Sequence, residues 1–168
     1  MAPVIQFVGY KNSGKTTLIG RLLELFNGMN IRVAVIKHDL HGFDADREGT
    51  DSFRHRQAGA AAAAVTSPWR TAIIEERETP LEDLIRHFAD YDLILVEGFK
   101  QEPYPKMVLL RSAEDESLIR ELQQVCAVVQ KEAHGSIPEH ADHGAAGPIR
   151  FQRDEIERIA RYIGQNFL

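Results

Sequence analysis

Cysteine is almost missing. Cys126 is the single thiol in 168 residues, which excludes an internal disulfide framework and fits a reducing compartment. It lies in the apolar run QVCAVV, the setting of a small core residue rather than a reactive nucleophile. Long hydrophobic runs are missing too. No stretch reaches the roughly 18 apolar residues of a membrane span. The opening MAPVIQFVGY has neither a basic leader nor a long enough apolar segment for secretion, so a cytoplasmic protein is expected. There is no basic excess. Net charge is −5, so no broad cationic face for nucleic acid is expected, and any anionic ligand must be held by a local pocket. No repeat or linker interrupts the chain, and its length suits one domain over residues 1–168.

What is present alternates between two periodicities. PVIQFV (3–8), IRVAVIKH (31–38), WRTAIIEE (69–76), DLILVEG (92–98), KMVLLRS (106–112) and QVCAVVQ (124–130) read as strands. LILVEG is apolar enough to be a central parallel strand. Helices are expected from Leu18, Leu22 and Leu23 to a stop at Asn27-Gly28, over DSFRHRQAG with a cap near Thr50 or Asp51, over TPLEDLIRHFAD, and over RDEIERIARYIGQNF. AAAAVTS is ambiguous: alanine favours helix, while its place between Gly59 and Pro68 favours strand. KEAHGSIPEHADHGAAGP (131–148) reads as a loop, with His134, His140 and His143 solvated in it. Strands alternating with helices predict an α/β fold of three layers, a mostly parallel central sheet with helices on both faces.

Between the first strand and first helix stands Gly9-Tyr10-Lys11-Asn12-Ser13-Gly14-Lys15-Thr16, a full match to G-x-x-x-x-G-K-[ST]. Glycines let successive backbone N–H groups converge on one anion, and the helix N-terminus adds its positive dipole end. Lys11, Asn12, Ser13 and Thr17 complete the cradle. Lys15 is expected on the terminal phosphates of a nucleoside triphosphate and the Thr16 hydroxyl on Mg²⁺. The fold is therefore expected to be P-loop NTPase-like. Glu97, at the carboxyl end of the apolar strand, is placed to hold Mg²⁺ or its water. A solvated strand end is the plainer alternative.

The segment KHDLHGFDADREGTDSFRHRQAGA (37–60), followed by DLILVEGFKQEPYPKMVLLR, resembles the molybdopterin-guanine dinucleotide biosynthesis adaptor family, MobB. The likeness runs from Val4 to about Arg111, and more loosely through VCAVVQ. It rests on Lys37-His38 with His41, on Asp44, Asp46, Gly49, Asp51 and Ser52, on Arg56, Ala58, Gly59 and Ala60, and on Leu93 to Lys100. The resemblance implies a homodimeric GTP-binding protein with weak, Mg²⁺-dependent GTPase activity. It would assist the partner enzyme, a guanylyltransferase that attaches GMP to molybdopterin, with molybdopterin itself a further candidate ligand.

Segment 37–60 follows the second strand at the edge of the sheet where the P-loop stands. Lys37, His38, His41, Arg54 and Arg56 suit a phosphate-bearing ligand, with Asp51 among the carboxylates that orient them. Asp39 is the candidate to position an attacking water beside Lys15. A zinc site on His38 and His41 lacks the cysteines that dominate structural sites, and a plain polar loop is the remaining alternative. Lys100 reads equally as a phosphate contact or, with Lys106, as a solvated lysine on a proline-stiffened turn. Trp69 reads as a dimer face or as core. Two other functions fit the P-loop. One is a small-molecule kinase, disfavoured because only Arg111 and Arg120 stand where an arginine-rich lid would be. The other is an adaptor that binds nucleotide without hydrolysing it.

Overall fold

The chain is described from a computed structural model over residues 2–130 and 147–168. Its elements are β1 (Val4–Val8), α1 (Lys15–Gly28), β2 (Val33–Lys37), α2 (Asp51–Gln57), β3 (Ala62–Ser67), β4 (Arg70–Glu75), α3 (Leu81–His87), β5 (Leu93–Glu97) and β6 (Lys106–Leu110). A 3₁₀ turn, Ala113–Glu116, runs into α4 (Ser117–Glu121). β7 (Val125–Gln130), β8 (Ile149–Gln152) and α5 (Ile156–Phe167) complete the chain. Two units separate. One joins Met1–His38 to Leu81–Leu168, and the other is Asp39–Pro80.

In the larger unit, β1, β5 and β6 are buried at every position. Apolar strands of this kind need cover on both faces. They receive it. Ile5, Phe7, Leu95, Met107 and Leu109 pack with Leu18, Leu22 and Phe26 of α1 and Ile159 and Ile163 of α5. On the opposite face Val4, Ile36, Ile94 and Val96 meet Leu81 and Ile85 of α3, and Val8, Val108, Leu110 and Val128 meet Leu118 of α4 and Leu122 just after it. Each fully buried Leu, Ile or Phe contributes about 1.5–3 kcal/mol. The sheet order is β2-β5-β1-β6-β7-β8, and all its pairings are parallel. The three-layer α/β expectation holds. β1 is central, so the loop after it emerges with the end of β5 on one side and of β6 on the other.

The structure decides three readings that the sequence left open. The ambiguous alanine run is a strand, because β3 pairs antiparallel with β4 from Ala62↔Glu75 to Ser67↔Arg70. Trp69 is 91% exposed in the turn of that hairpin, so it is not core. Lys106 is not a solvated turn lysine: it is 1% exposed, and its ammonium donates to the carbonyls of Glu102 and of Tyr104, the latter at 2.9 Å. Burial lowers its pKa. β8 and the helical turns at 113–121 have no counterpart in the sequence reading. The histidines of 131–146 lie outside the described residues.

In the smaller unit α2 begins where the sequence placed it. Thr50 is extended, and its hydroxyl accepts from the Phe53 amide at 3.4 Å. The helix buries no residue. Charge does much of the ordering. Arg56, whose side chain is 10% exposed, pairs with Asp44 at 2.9 Å, Asp46 at 3.3 Å and Glu76 at 2.6 Å. Ser52 donates to Asp46 at 3.0 Å.

Candidate functional site

The loop 9–16 is shaped by close backbone approach. A Cβ on Gly9 would lie 2.6 Å from the Leu109 carbonyl oxygen and 2.7 Å from Ser13 Oγ, so only glycine fits. Asn12 and Gly14 take left-handed angles, φ 62° and 87°, and the Ser13 amide turns back to the Tyr10 carbonyl at 3.2 Å. Gly14 is the N-cap of α1 and has no side-chain cap. The first-turn amides of the helix therefore keep their donors for an anion.

Lys15 crosses this bend. Its ammonium donates to the carbonyls of Gly9 at 3.1 Å and Tyr10 at 3.0 Å. Burial lowers its pKa, Glu97 opposes that shift, and Lys100 and Lys37 add to it. Three lysines and one carboxylate thus act on each other around the loop. Thr16 Oγ1 donates to both oxygens of Glu97, at 2.9 and 3.0 Å. Lys37 approaches the same carboxylate at 3.9 Å. A hydroxyl and a carboxylate this close are hard oxygen donors within reach of one small cation, so the pair fits Mg²⁺. Elsewhere, no group of three or more His, Cys, Asp or Glu among the described residues is placed to hold a metal.

The turn after Glu97 is held under strain. Gly98 has φ 102° and Phe99, without a glycine's freedom, φ 52°. Gln6, fully buried in β1, clasps the turn: its amide donates to the Gly98 carbonyl at 3.2 Å and the Phe99 carbonyl at 2.6 Å. His38 stacks on Phe99 with ring centroids 4.3 Å apart. It is therefore a packing partner of this turn. On the other side of the loop, Tyr10 has Lys100 4.6 Å and Arg111 4.8 Å from its ring. Arg111 donates from its backbone N, Nε and Nη2 to the buried Asp115, each at 2.9 Å. Those bonds hold the Asp115 carboxyl below the usual carboxylate range and raise Arg111.

Of the residues chosen from sequence, Gly9, Lys11, Asn12, Ser13, Gly14, Lys15, Thr16, Thr17, Lys37, His38, Glu97 and Lys100 belong to the larger unit. Asp39, His41, Asp51 and Arg56 belong to the smaller one. There Asp39 Oδ1 accepts from the His41 amide at 2.9 Å, closing a local turn, and Asp51 faces Arg54 at 3.7 Å, both exposed. Arg56 Nε and Nη1 are engaged by the three carboxylates described above. Gln6, Tyr10, Arg111 and Asp115 were not singled out as site residues. Their signal was only position: on β1, in the loop, and after β6.

A strand, a glycine-bounded bend and a helix at the carboxyl edge of a parallel sheet, with an acid from the adjacent strand, define a P-loop NTPase-like α/β protein. Within that class the chain belongs to the MobB family: the family model for molybdopterin guanine dinucleotide synthesis protein B matches residues 4–131. It is 43% identical over 113 residues to the molybdopterin-guanine dinucleotide biosynthesis adapter protein of Haemophilus influenzae, covering 65% of this chain and 64% of that relative. It is 40% identical over 117 residues to the Escherichia coli adapter protein of the same name, covering 66% of this chain and 67% of that one. The crystal structure of Bacillus subtilis MobB superposes with a TM-score of 0.75 at 32% identity, covering 97% of each chain. No helix among the described residues is long and apolar enough to cross a membrane.

Proposed function

We propose that this chain is a GTP-binding, slowly GTP-hydrolysing adaptor that assists the enzyme attaching GMP to molybdopterin. The observation that carries the reading is the Thr16–Glu97 pair beside a loop whose helix start has no side-chain cap and across which Lys15 lies. The loop amides and Lys15 would bind the phosphate chain, and Thr16 and Glu97 would hold Mg²⁺. The metal would supply charge neutralisation on the phosphates. Lys37 and Lys100 add positive charge where the terminal phosphates would lie. Positioning and charge stabilisation dominate phosphoryl transfer. Arg111 is tied to Asp115, and Asp39 closes its own turn, so a low intrinsic rate follows unless a partner contributes to the site. The exposed Val65, Trp69 and Ile73 of the β3–β4 hairpin are of the residue type that covers itself in a homodimer.

Calorimetric titration of GTP against ATP, with and without Mg²⁺, tests the reading. GTP preferred, with Mg²⁺ strengthening it, is the expected result. Lys15→Ala should weaken GTP at least tenfold, as expected when a charge-assisted phosphate contact is lost. A preference for ATP, or binding unchanged in Lys15→Ala, refutes it. Phosphate release above buffer background, lost in Lys15→Ala, separates a slow GTPase from an adaptor that only binds.

A further inference from the structure

Arg153 stands just after β8, beyond the segment that the family model matches. Its guanidinium nevertheless reaches the loop. A Cβ built on Gly14 would meet Arg153 Nη1 at 3.2 Å, Cζ at 3.3 Å and Nε at 3.5 Å. Three such similar distances mean that the flat face of the group lies against Gly14. One bond holds it there, Nη2 donating to the Leu110 carbonyl at 3.2 Å, while the Arg153 backbone amide is anchored on the Gln130 carbonyl at 2.9 Å. The Nε is buried with no hydrogen-bond partner. No carboxylate among the described residues forms an ion pair with Arg153. The neighbouring Glu155 is taken by the Gln152 amide at 2.7 Å and by Arg158 at 2.7 Å.

A buried guanidinium donor left unpaired is costly, and arginine's fork matches phosphate oxygens. The sheet order says which phosphate. Glu97 ends β5, on one side of β1, and marks the metal end of the site. Arg153 is tied to the end of β6, on the other side. We propose that Arg153 is a further nucleotide-binding residue, donating to the phosphate nearest the nucleoside from the side of the loop opposite Glu97. Gly14 then has a second role: a side chain there would push the guanidinium off the loop.

The proposal rests on the nucleotide reading above, and the test keeps the two apart. Affinities of GTP, GDP, ATP and inorganic tripolyphosphate are measured for the wild type, Arg153→Gln and Arg153→Lys, with melting temperatures alongside. Arg153→Gln should weaken GTP, GDP and tripolyphosphate alike, by about tenfold or more. The ratio of GTP to ATP affinity should stay unchanged, and Arg153→Lys should recover part of the loss. A lower melting temperature with unchanged affinities makes Arg153 structural and overturns the proposal. So does a loss confined to guanine preference with tripolyphosphate unaffected. Failure of the wild type to bind any nucleotide instead overturns the reading on which the proposal stands.

Discussion

Replacing Gly9 with alanine puts a methyl group into occupied space. The new carbon would lie 2.6 Å from the Leu109 carbonyl oxygen and 2.7 Å from Ser13 Oγ. The first obstacle is backbone, on a strand paired with β1 on one side and β7 on the other. Moving it would stretch ladder hydrogen bonds worth about 0.5–1.5 kcal/mol each. The second is a fully buried serine inside the bend. Relief must come from the loop swinging outward, and overpacking of this kind costs about 1–3 kcal/mol. For a chain of this length that lowers the melting temperature by about 2–4 °C per kcal/mol, so a fall of roughly 2–12 °C is expected. Nucleotide affinity should fall with it, because the amides lose their common focus. Gly20→Ala is the control. Gly20 lies inside α1 with nothing within 4 Å of its added carbon, and the change should stabilise by about 0.5–1 kcal/mol. Thermal melts and GTP titrations of both variants decide the matter. A Gly9→Ala protein that melts and binds like the parent would refute the steric account of the loop.

Glu97→Gln should abolish the strengthening of GTP binding by Mg²⁺ while leaving Mg²⁺-free affinity within about twofold; equal loss in both conditions would remove its metal role. Asp115 carries a depressed carboxyl pKa. The stability it confers is therefore present above the unfolded value near about 4 and lost as pH falls through the folded one. Asp115→Asn should accordingly lose less stability than the parent between about pH 5 and pH 3, measured by urea unfolding; identical slopes would show that the Arg111 pair contributes nothing. Asp44 and Asp46 shift in the same direction, so the slope is reduced rather than removed. Arg56→Gln should loosen the segment 39–80, seen as faster proteolysis there, with GTP affinity unchanged. A drop in affinity with normal protease resistance would return Arg56 to the ligand.

The strand-loop-helix cradle was legible because a motif and its periodic flanks coincide, and Glu97 because an acid closing an apolar run stands out. Position 37–60 shows the limit. Its alternation of Asp, Ser and Arg can be read as a pattern, but nothing in the spacing says that Asp44, Asp46 and Glu76 all turn onto Arg56. Lys106 looked solvated because prolines precede it; only the fold shows two carbonyls of its own loop arranged around its ammonium. β8 was missed because IRFQ is four residues long and follows a Gly/Pro/His-rich segment that carries no periodic signal. Arg153 was out of reach for the same reason: a guanidinium set against Gly14 is a product of sheet order, which no local window contains.

The central place of β1 has a consequence for how the protein comes off the ribosome. Its two neighbours, β5 and β6, are made only after residue 92. At synthesis rates of about 5–20 residues per second, the first strand waits on the order of ten seconds for a partner. Through that interval the glycine-rich bend exists as chain but has no walls. If the proposed nucleotide reading holds, bound GTP would stabilise only the finished sheet, so truncated products lacking β5 should gain nothing from it and fall to proteolysis.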